Sequence, residues 1–155
     1  MSVIFDLDQT LIDTSISEKF RKSREWKKVY ELIPKFKLYD GITNSLSYLK
    51  EKNIPICIVT SSPSIYCDKI IKHWEMPCEL KVCYHDTKNK KPHPDPILKA
   101  LTYFNNNKSS TLSFGDRDID IISSNTAGVI SVACYWGCVD IDSLEASNPQ
   151  YSLTK

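Results

Sequence analysis

Val3-Ile4-Phe5-Asp6-Leu7-Asp8-Gln9-Thr10 sets two aspartates directly behind a short apolar run. The run is too short and too apolar for an amphipathic helix and reads as a buried strand over residues 2–6. The pattern returns much later, where Leu112-Ser113-Phe114 leads into Gly115-Asp116-Arg117-Asp118-Ile119-Asp120. A buried strand that ends in aspartates delivers them to the carboxyl edge of a parallel sheet, where open α/β proteins keep their ligands. Carboxylates gathered at one edge repel one another, and a hard divalent cation held through oxygen relieves that repulsion. The sequence therefore points to a metal-assisted site with Mg²⁺ as cofactor.

Outward from these two stretches, strands and helices alternate. Ser15 or Ser17 caps a helix expected through about Leu32 and stopped by Pro34. Ile42, Leu46 and Leu49 recur at helical spacing within residues 41–52. Residues 54–59 read as a strand, with Pro55 acceptable only near its start. Pro63 suits the first turn of a helix over about residues 64–74. A weaker strand is expected near residues 81–84, then a helix over 95–105, a strand over 111–115, a helix over 119–126 and a strand over 129–134. Such alternation over short loops implies an α/β fold, a doubly wound parallel sheet with helices on both faces. The expectation is one domain over residues 1–155.

Of the 155 residues, 41% are hydrophobic and 25% charged, which is the balance of a globular protein rather than a disordered one. No run approaches the roughly 18 apolar residues of a membrane span, and the first residues do not read as a signal peptide. The expectation is a cytoplasmic protein with no membrane partner. Six cysteines contain no C-x-x-C, and Cys57 and Cys134 fall inside apolar strands, so reduced and mostly buried thiols are expected. The net charge of +1 is uneven, because residues 15–37 hold eight basic and three acidic side chains.

Four elements follow four expected strands: Asp6 with Asp8, Thr60 with Ser61, Lys91 before Pro92, and Asp116 with Asp120. Taken singly, each has a plainer role. Thr60 could cap a helix, Lys91 could be a surface lysine beside Lys88 and Lys90, and Asp116 and Asp120 could be turn and cap residues. Thr10 reads as a turn residue that bonds the backbone. Together and in order, Asp6-x-Asp8-x-Thr10, the run into Thr60, Lys91-Pro92-His93-Pro94-Asp95-Pro96 and Gly115-Asp116-x-x-x-Asp120 resemble the haloacid dehalogenase superfamily. The proline-rich segment, Asp13-Thr14 and the Tyr135-Trp136-Gly137 turn are similar to its phosphoglycolate phosphatase branch.

The resemblance implies a Rossmann-like core and a Mg²⁺-dependent phosphomonoester phosphatase. Asp6 would be the nucleophile that becomes an aspartyl-phosphate, and Asp8 the acid that protonates the leaving oxygen and then activates water. Lys91 and Thr60, with Ser61, would bind the phosphoryl group. Asp6, the Asp8 backbone carbonyl, Asp116 and, through water, Asp120 would hold the metal. The second aspartate matters, because a halide leaving group needs no proton and a phosphate ester does.

Three departures from that branch stand out. Gln9 occupies a position that is usually glycine, the terminal helix is missing, and the cap insert is reduced to about residues 15–39. So short a lid leaves an open site with weak selection by size. A phosphomutase, which must keep a phosphorylated intermediate from water, is disfavoured. The substrate could be a small phosphometabolite or a nucleotide; the alternatives are a polynucleotide end, a phosphoprotein, or a phosphate-binding regulatory module with little turnover. Phe20, Trp26, Tyr30 and Phe36, set among the lysines of the insert, either stack on such an anion or pack on the body.

Overall fold

The computed structural model describes residues 1–105 and 107–154. In chain order the strands are β1 (Ser2–Phe5), β2 (Ile12–Asp13), β3 (Lys37–Leu38), β4 (Ile56–Val59), β5 (Leu80–Val82), β6 (Thr111–Gly115), β7 (Ile130–Cys134) and β8 (Tyr151–Leu153). The helices are α1 (Glu18–Lys22), α2 (Trp26–Leu32), α3 (Ile42–Glu51), α4 (Ser64–His73), α5 (Asp95–Phe104), α6 (Asp118–Ala127) and α7 (Ile141–Ala146). Six strands form one sheet in the order β5-β4-β1-β6-β7-β8, each neighbouring pair parallel. The chain builds outward from β1 through β4 to β5 on one side and from β6 through β7 to β8 on the other, so the strand order reverses between β1 and β6 and opens the crevice in which α/β sheets bind.

Side-chain alternation along the central strands builds a core on each face. Val3 and Phe5 join Ile42 and Leu46 of α3 and Tyr66, Cys67 and Ile70 of α4. Ile4, between them in sequence, joins Ile97, Ala100 and Leu101 of α5 and Ala127 of α6 on the opposite face. A strand buried on both faces has no polar side to show, which is why residues 3–5 read as an unbroken apolar run.

The segment between β2 and β3 differs from its expected single helix. It contains α1 and α2, broken at Ser23–Glu25, where Arg24 takes a left-handed φ of 57°. The Glu25 amide bonds the Phe20 carbonyl and the Arg24 amide bonds the Arg21 carbonyl, the return bonds of a left-handed helix stop. Such a stop usually carries glycine or asparagine, and arginine gives no sequence warning of it. Pro34 then lies within a 3₁₀ turn over Ile33–Lys35. The insert enters and leaves the body through β2 and β3, an antiparallel pair two residues long.

Val29, Ile33 and Phe36 of the insert are buried in the main core, and Phe20, Trp26 and Tyr30 pack against it. Burying an aliphatic or aromatic side chain yields about 1.5–3 kcal/mol, against about 0.2–1 kcal/mol for exposed ion pairs such as Lys22–Glu18. The apolar face therefore sets the position of the insert. Its aromatic rings pack on the body, the second of the two roles that the sequence allows them.

Two further elements were not expected. Asp140 caps α7 by accepting the Ser143 amide at 3.1 Å, and β8 extends the sheet as an edge strand whose three residues are all exposed. All six cysteines are free, four of them buried. No helix among the described residues is long and apolar enough to cross a membrane.

Candidate active site

β1, β4 and β6 end side by side, and the loops that leave them bring Asp6, Thr60 and Asp116 to one edge. Lys91 arrives from the loop before α5. Its Nζ donates to Asp6 Oδ1 at 2.7 Å, to Asp120 Oδ1 at 2.5 Å and to the Val59 carbonyl at 3.0 Å. All three ammonium protons are thus used, and only 3% of the side chain is exposed. Burial alone would push the ammonium pKa down, but Asp120 and Asp6 hold it well above its ordinary value. This lysine is not the solvated surface residue that its basic neighbours suggest.

Asp6, Asp116 and Asp120 each offer an oxygen, and the three atoms lie within 4.8 Å of one another. One buried lysine does not balance three carboxylates. Burial pushes Asp6 up to about 7 against the pull of Lys91, with Asp120 and Asp8 adding to the rise. Burial, then the charges of Asp6 and Asp120, push Asp116 up to about 8. A small hard cation is the complement of an all-oxygen cluster with surplus negative charge, and these residues fit Mg²⁺. Asp116 Oδ1 accepts the Thr10 hydroxyl at 2.9 Å, so Thr10 orients this carboxylate rather than bonding the backbone as expected. Asp120 has both oxygens engaged, Oδ1 by Lys91 and Oδ2 by the Arg117 amide at 3.1 Å. Asp118 sits in the first turn of α6, in keeping with its plain role.

After β1 the chain curls. Gln9 takes a φ of 66°, its amide bonds the Ile12 carbonyl at 2.9 Å, and its Oε1 accepts the Thr14 amide at 2.8 Å. The left-handed turn that favours glycine is therefore kept with glutamine, held by its own side chain. Trp136 braces the curl by donating Nε1 to the Thr10 carbonyl at 2.9 Å. Gly137 is needed there, because a Cβ would stand 1.9 Å from the Gln9 carbonyl oxygen.

The curl turns Asp8 toward the insert, where four side chains meet it. Its Oδ1 accepts from Thr14 Oγ1 at 2.8 Å, from Tyr66 OH at 2.6 Å and from Arg21 Nη1 at 3.0 Å; its Oδ2 accepts from Ser62 Oγ at 2.8 Å. Thr60 is buried and its Oγ1 accepts the Ser62 amide at 3.1 Å, which shapes the loop into α4. Ser61 is exposed on that loop, and it is Ser62 whose side chain faces the site. Ser62, Tyr66 and Arg21 carried no motif signal; each is recognisable only from its contact with Asp8.

A family model described as haloacid dehalogenase-like hydrolase matches residues 16–134. The chain belongs to that family. The match begins beyond Asp6 and Asp8, so their place at the end of β1 is independent support. Among curated relatives of this haloacid dehalogenase-like chain, a protein assigned as pyrophosphatase PpaX from Caldanaerobacter subterraneus subsp. tengcongensis is 33% identical over 76% of this chain and 54% of its own. A phosphoglycolate phosphatase from Photorhabdus laumondii is 29% identical over 76% of this chain and 51% of its own. The chain thus spans about half the length of these relatives. A pyrophosphatase PpaX from Bacillus cereus aligns more fully, at 25% identity over 99% of this chain and 92% of its own. That alignment runs over 199 positions against a chain of 155 residues, so the relative holds segments with no counterpart here. In fold, a hydrolase from Pseudomonas syringae superposes with a TM-score of 0.81 at 20% identity, covering 99% of this chain and 93% of that one.

Proposed function

We propose that this haloacid dehalogenase-like chain is a Mg²⁺-dependent phosphatase that works through an aspartyl-phosphate on Asp6. The observation that carries the reading is the Lys91 bridge between Asp6 and Asp120, with Asp116 in the same cluster and Asp8 two residues on. The names of the pyrophosphatase and phosphoglycolate phosphatase relatives support the same class.

Asp6 attacks phosphorus, and the bond from phosphorus to the leaving oxygen breaks. Asp8 gives that oxygen a proton, then takes one from the water that attacks the aspartyl-phosphate and frees Asp6. Lys91 fixes one Asp6 oxygen and places positive charge where phosphoryl charge gathers. Thr60, whose Oγ1 already accepts the Ser62 amide, keeps its own proton for a phosphoryl oxygen. A bound Mg²⁺, held by Asp6, Asp116 and the Asp8 carbonyl with Asp120 behind them, would cancel charge between nucleophile and phosphate.

Phosphate release from an aryl phosphate, pyrophosphate and phosphoglycolate, with Mg²⁺ or with EDTA, tests the reading on wild type and Asp6→Asn. Turnover that needs metal and vanishes in Asp6→Asn is the expected result. Turnover that survives either EDTA or the substitution would overturn it.

A further inference from the structure

Cys83 stands in a setting that the other five thiols lack. It directly follows β5, the edge strand of the sheet. Its sulfur accepts the Asp86 amide, while its own amide donates to Asp86 Oδ2 at 2.7 Å. Lys81 donates Nζ to Ser64 Oγ at 2.7 Å, and Ser64 opens α4, with Cys67 one turn further on. Burial pushes the Cys57, Cys78, Cys134 and Cys138 thiols up. Cys83 goes down, because the Cys67 thiol hydrogen-bonds it and the Ser64 hydroxyl and the charge of Lys81 add to that against its burial. The same bond drives Cys67 up. A thiol with thiolate character beside a second thiol is the pairing that redox chemistry uses. Cys83 is only 3% exposed, but Tyr84, His85 and Asp86 after it are all exposed, so the opening of one surface turn admits a small oxidant.

Each thiol also adjoins a residue that holds Asp8. Tyr66, beside Cys67, donates to Asp8 Oδ1 at 2.6 Å. Tyr84, beside Cys83, donates its amide to the Ser62 carbonyl at 3.0 Å, and Ser62 Oγ donates to Asp8 Oδ2 at 2.8 Å. We propose that Cys83 and Cys67 form a redox site: a hydroperoxide oxidises Cys83, Cys67 resolves it, and the disulfide displaces the two arms that hold Asp8. The Cys83 thiolate attacks a peroxide oxygen; an S–O bond forms as the O–O bond breaks, and the departing hydroxide takes up the proton that Cys83 released. The Cys67 sulfur then attacks the sulfenic sulfur; S–S forms, S–O breaks, and the hydroxide leaves as water with the Cys67 proton. The two thiols lose two electrons, and one hydrogen peroxide becomes two waters. The bond pulls α4 against the end of β5. A displacement of about 1 Å at a catalytic group costs on the order of 100-fold in rate, so turnover falls. That last consequence rests on the phosphatase reading; the disulfide does not.

The test treats the folded protein with hydrogen peroxide, blocks free thiols with iodoacetamide and maps the products by peptide mass spectrometry. A Cys67–Cys83 disulfide that dithiothreitol reverses is the expected product. Cys67→Ser is expected to leave Cys83 as a sulfenic acid that dimedone captures, and Cys138→Ser, at a more exposed thiol, to change nothing. Oxidation that falls on Cys138 while Cys83 stays reduced would overturn the proposal, as would a protein that keeps both thiols free. Hydrogen exchange over residues 60–67 is expected to differ between the oxidised and reduced forms, and identical exchange would reject the link to Asp8. Aryl phosphate turnover is expected to fall by about tenfold or more on oxidation and to return with dithiothreitol. No turnover by the reduced protein would sink the phosphatase reading, and the mass and exchange measurements would still decide the redox site.

Discussion

Gly115 and Asp120 approach so closely that a Cβ on Gly115 would stand 2.2 Å from the Asp120 Cβ. The absence of a side chain at the end of β6 is what lets α6 bring Asp120 down onto Lys91. A methyl group must displace the helix start, because neither atom is the end of a flexible chain. Gly115→Ala is expected to destabilise the fold by about 1–3 kcal/mol and to lower kcat at least as severely as Asp120→Asn. Thermal melting and steady-state rates check both parts.

Thr10 and Asp116 are joined by a buried 2.9 Å hydrogen bond. Thr10→Val keeps the shape and removes the donor. Outer partners of metal-binding carboxylates typically contribute about 10–100-fold in affinity, so Mg²⁺ binding is expected to weaken by that factor. Isothermal titration with Mg²⁺ in the absence of substrate measures it.

Lys91→Met strands Asp6 and Asp120 in a buried site without their shared cation. Breaking a buried pair in this way costs about 3–5 kcal/mol, and urea unfolding should show a loss of that order. Adding Asp120→Asn to Lys91→Met removes one stranded charge and is expected to recover part of the loss.

The acidic cluster also sets a pH dependence. Burial holds Asp6 near 7 and Asp116 near 8, whereas both titrate near 3.8 in the unfolded chain. Across that interval the folded metal-free protein binds more protons than the unfolded one, so its stability falls as pH rises from about 4 to about 8. Mg²⁺ favours the ionised cluster and is expected to raise the melting temperature more at pH 8 than at pH 5. Melting curves with and without Mg²⁺ across that range check the sign.

The sheet and the acidic edge were legible because each rests on local pattern. Residues 3–5 and 112–114 are apolar runs that stop at carboxylates, and the structure ends β1 and β6 within a residue of those points. The break in the insert was not legible, since Arg24 adopts a conformation that its side chain does not advertise. β8 was missed for another reason: an exposed edge strand buries no alternating face. The cradle of Asp8 is the deepest gap. Ser62 and Tyr66 lie 54 and 58 residues from Asp8, and Arg21 is one cation among many, so only three-dimensional packing marks them.

The clasp formed by Ile12 with Leu38 and Asp13 with Lys37 brings the two ends of the insert side by side. Material added between them would extend outward from one point without moving a strand of the main sheet, its order or its register. On the phosphatase function proposed above, the carboxylates of the sheet edge and the residues of the insert belong to separable parts of the chain. The sheet edge can stay fixed while the segment between β2 and β3 is lengthened, shortened or exchanged.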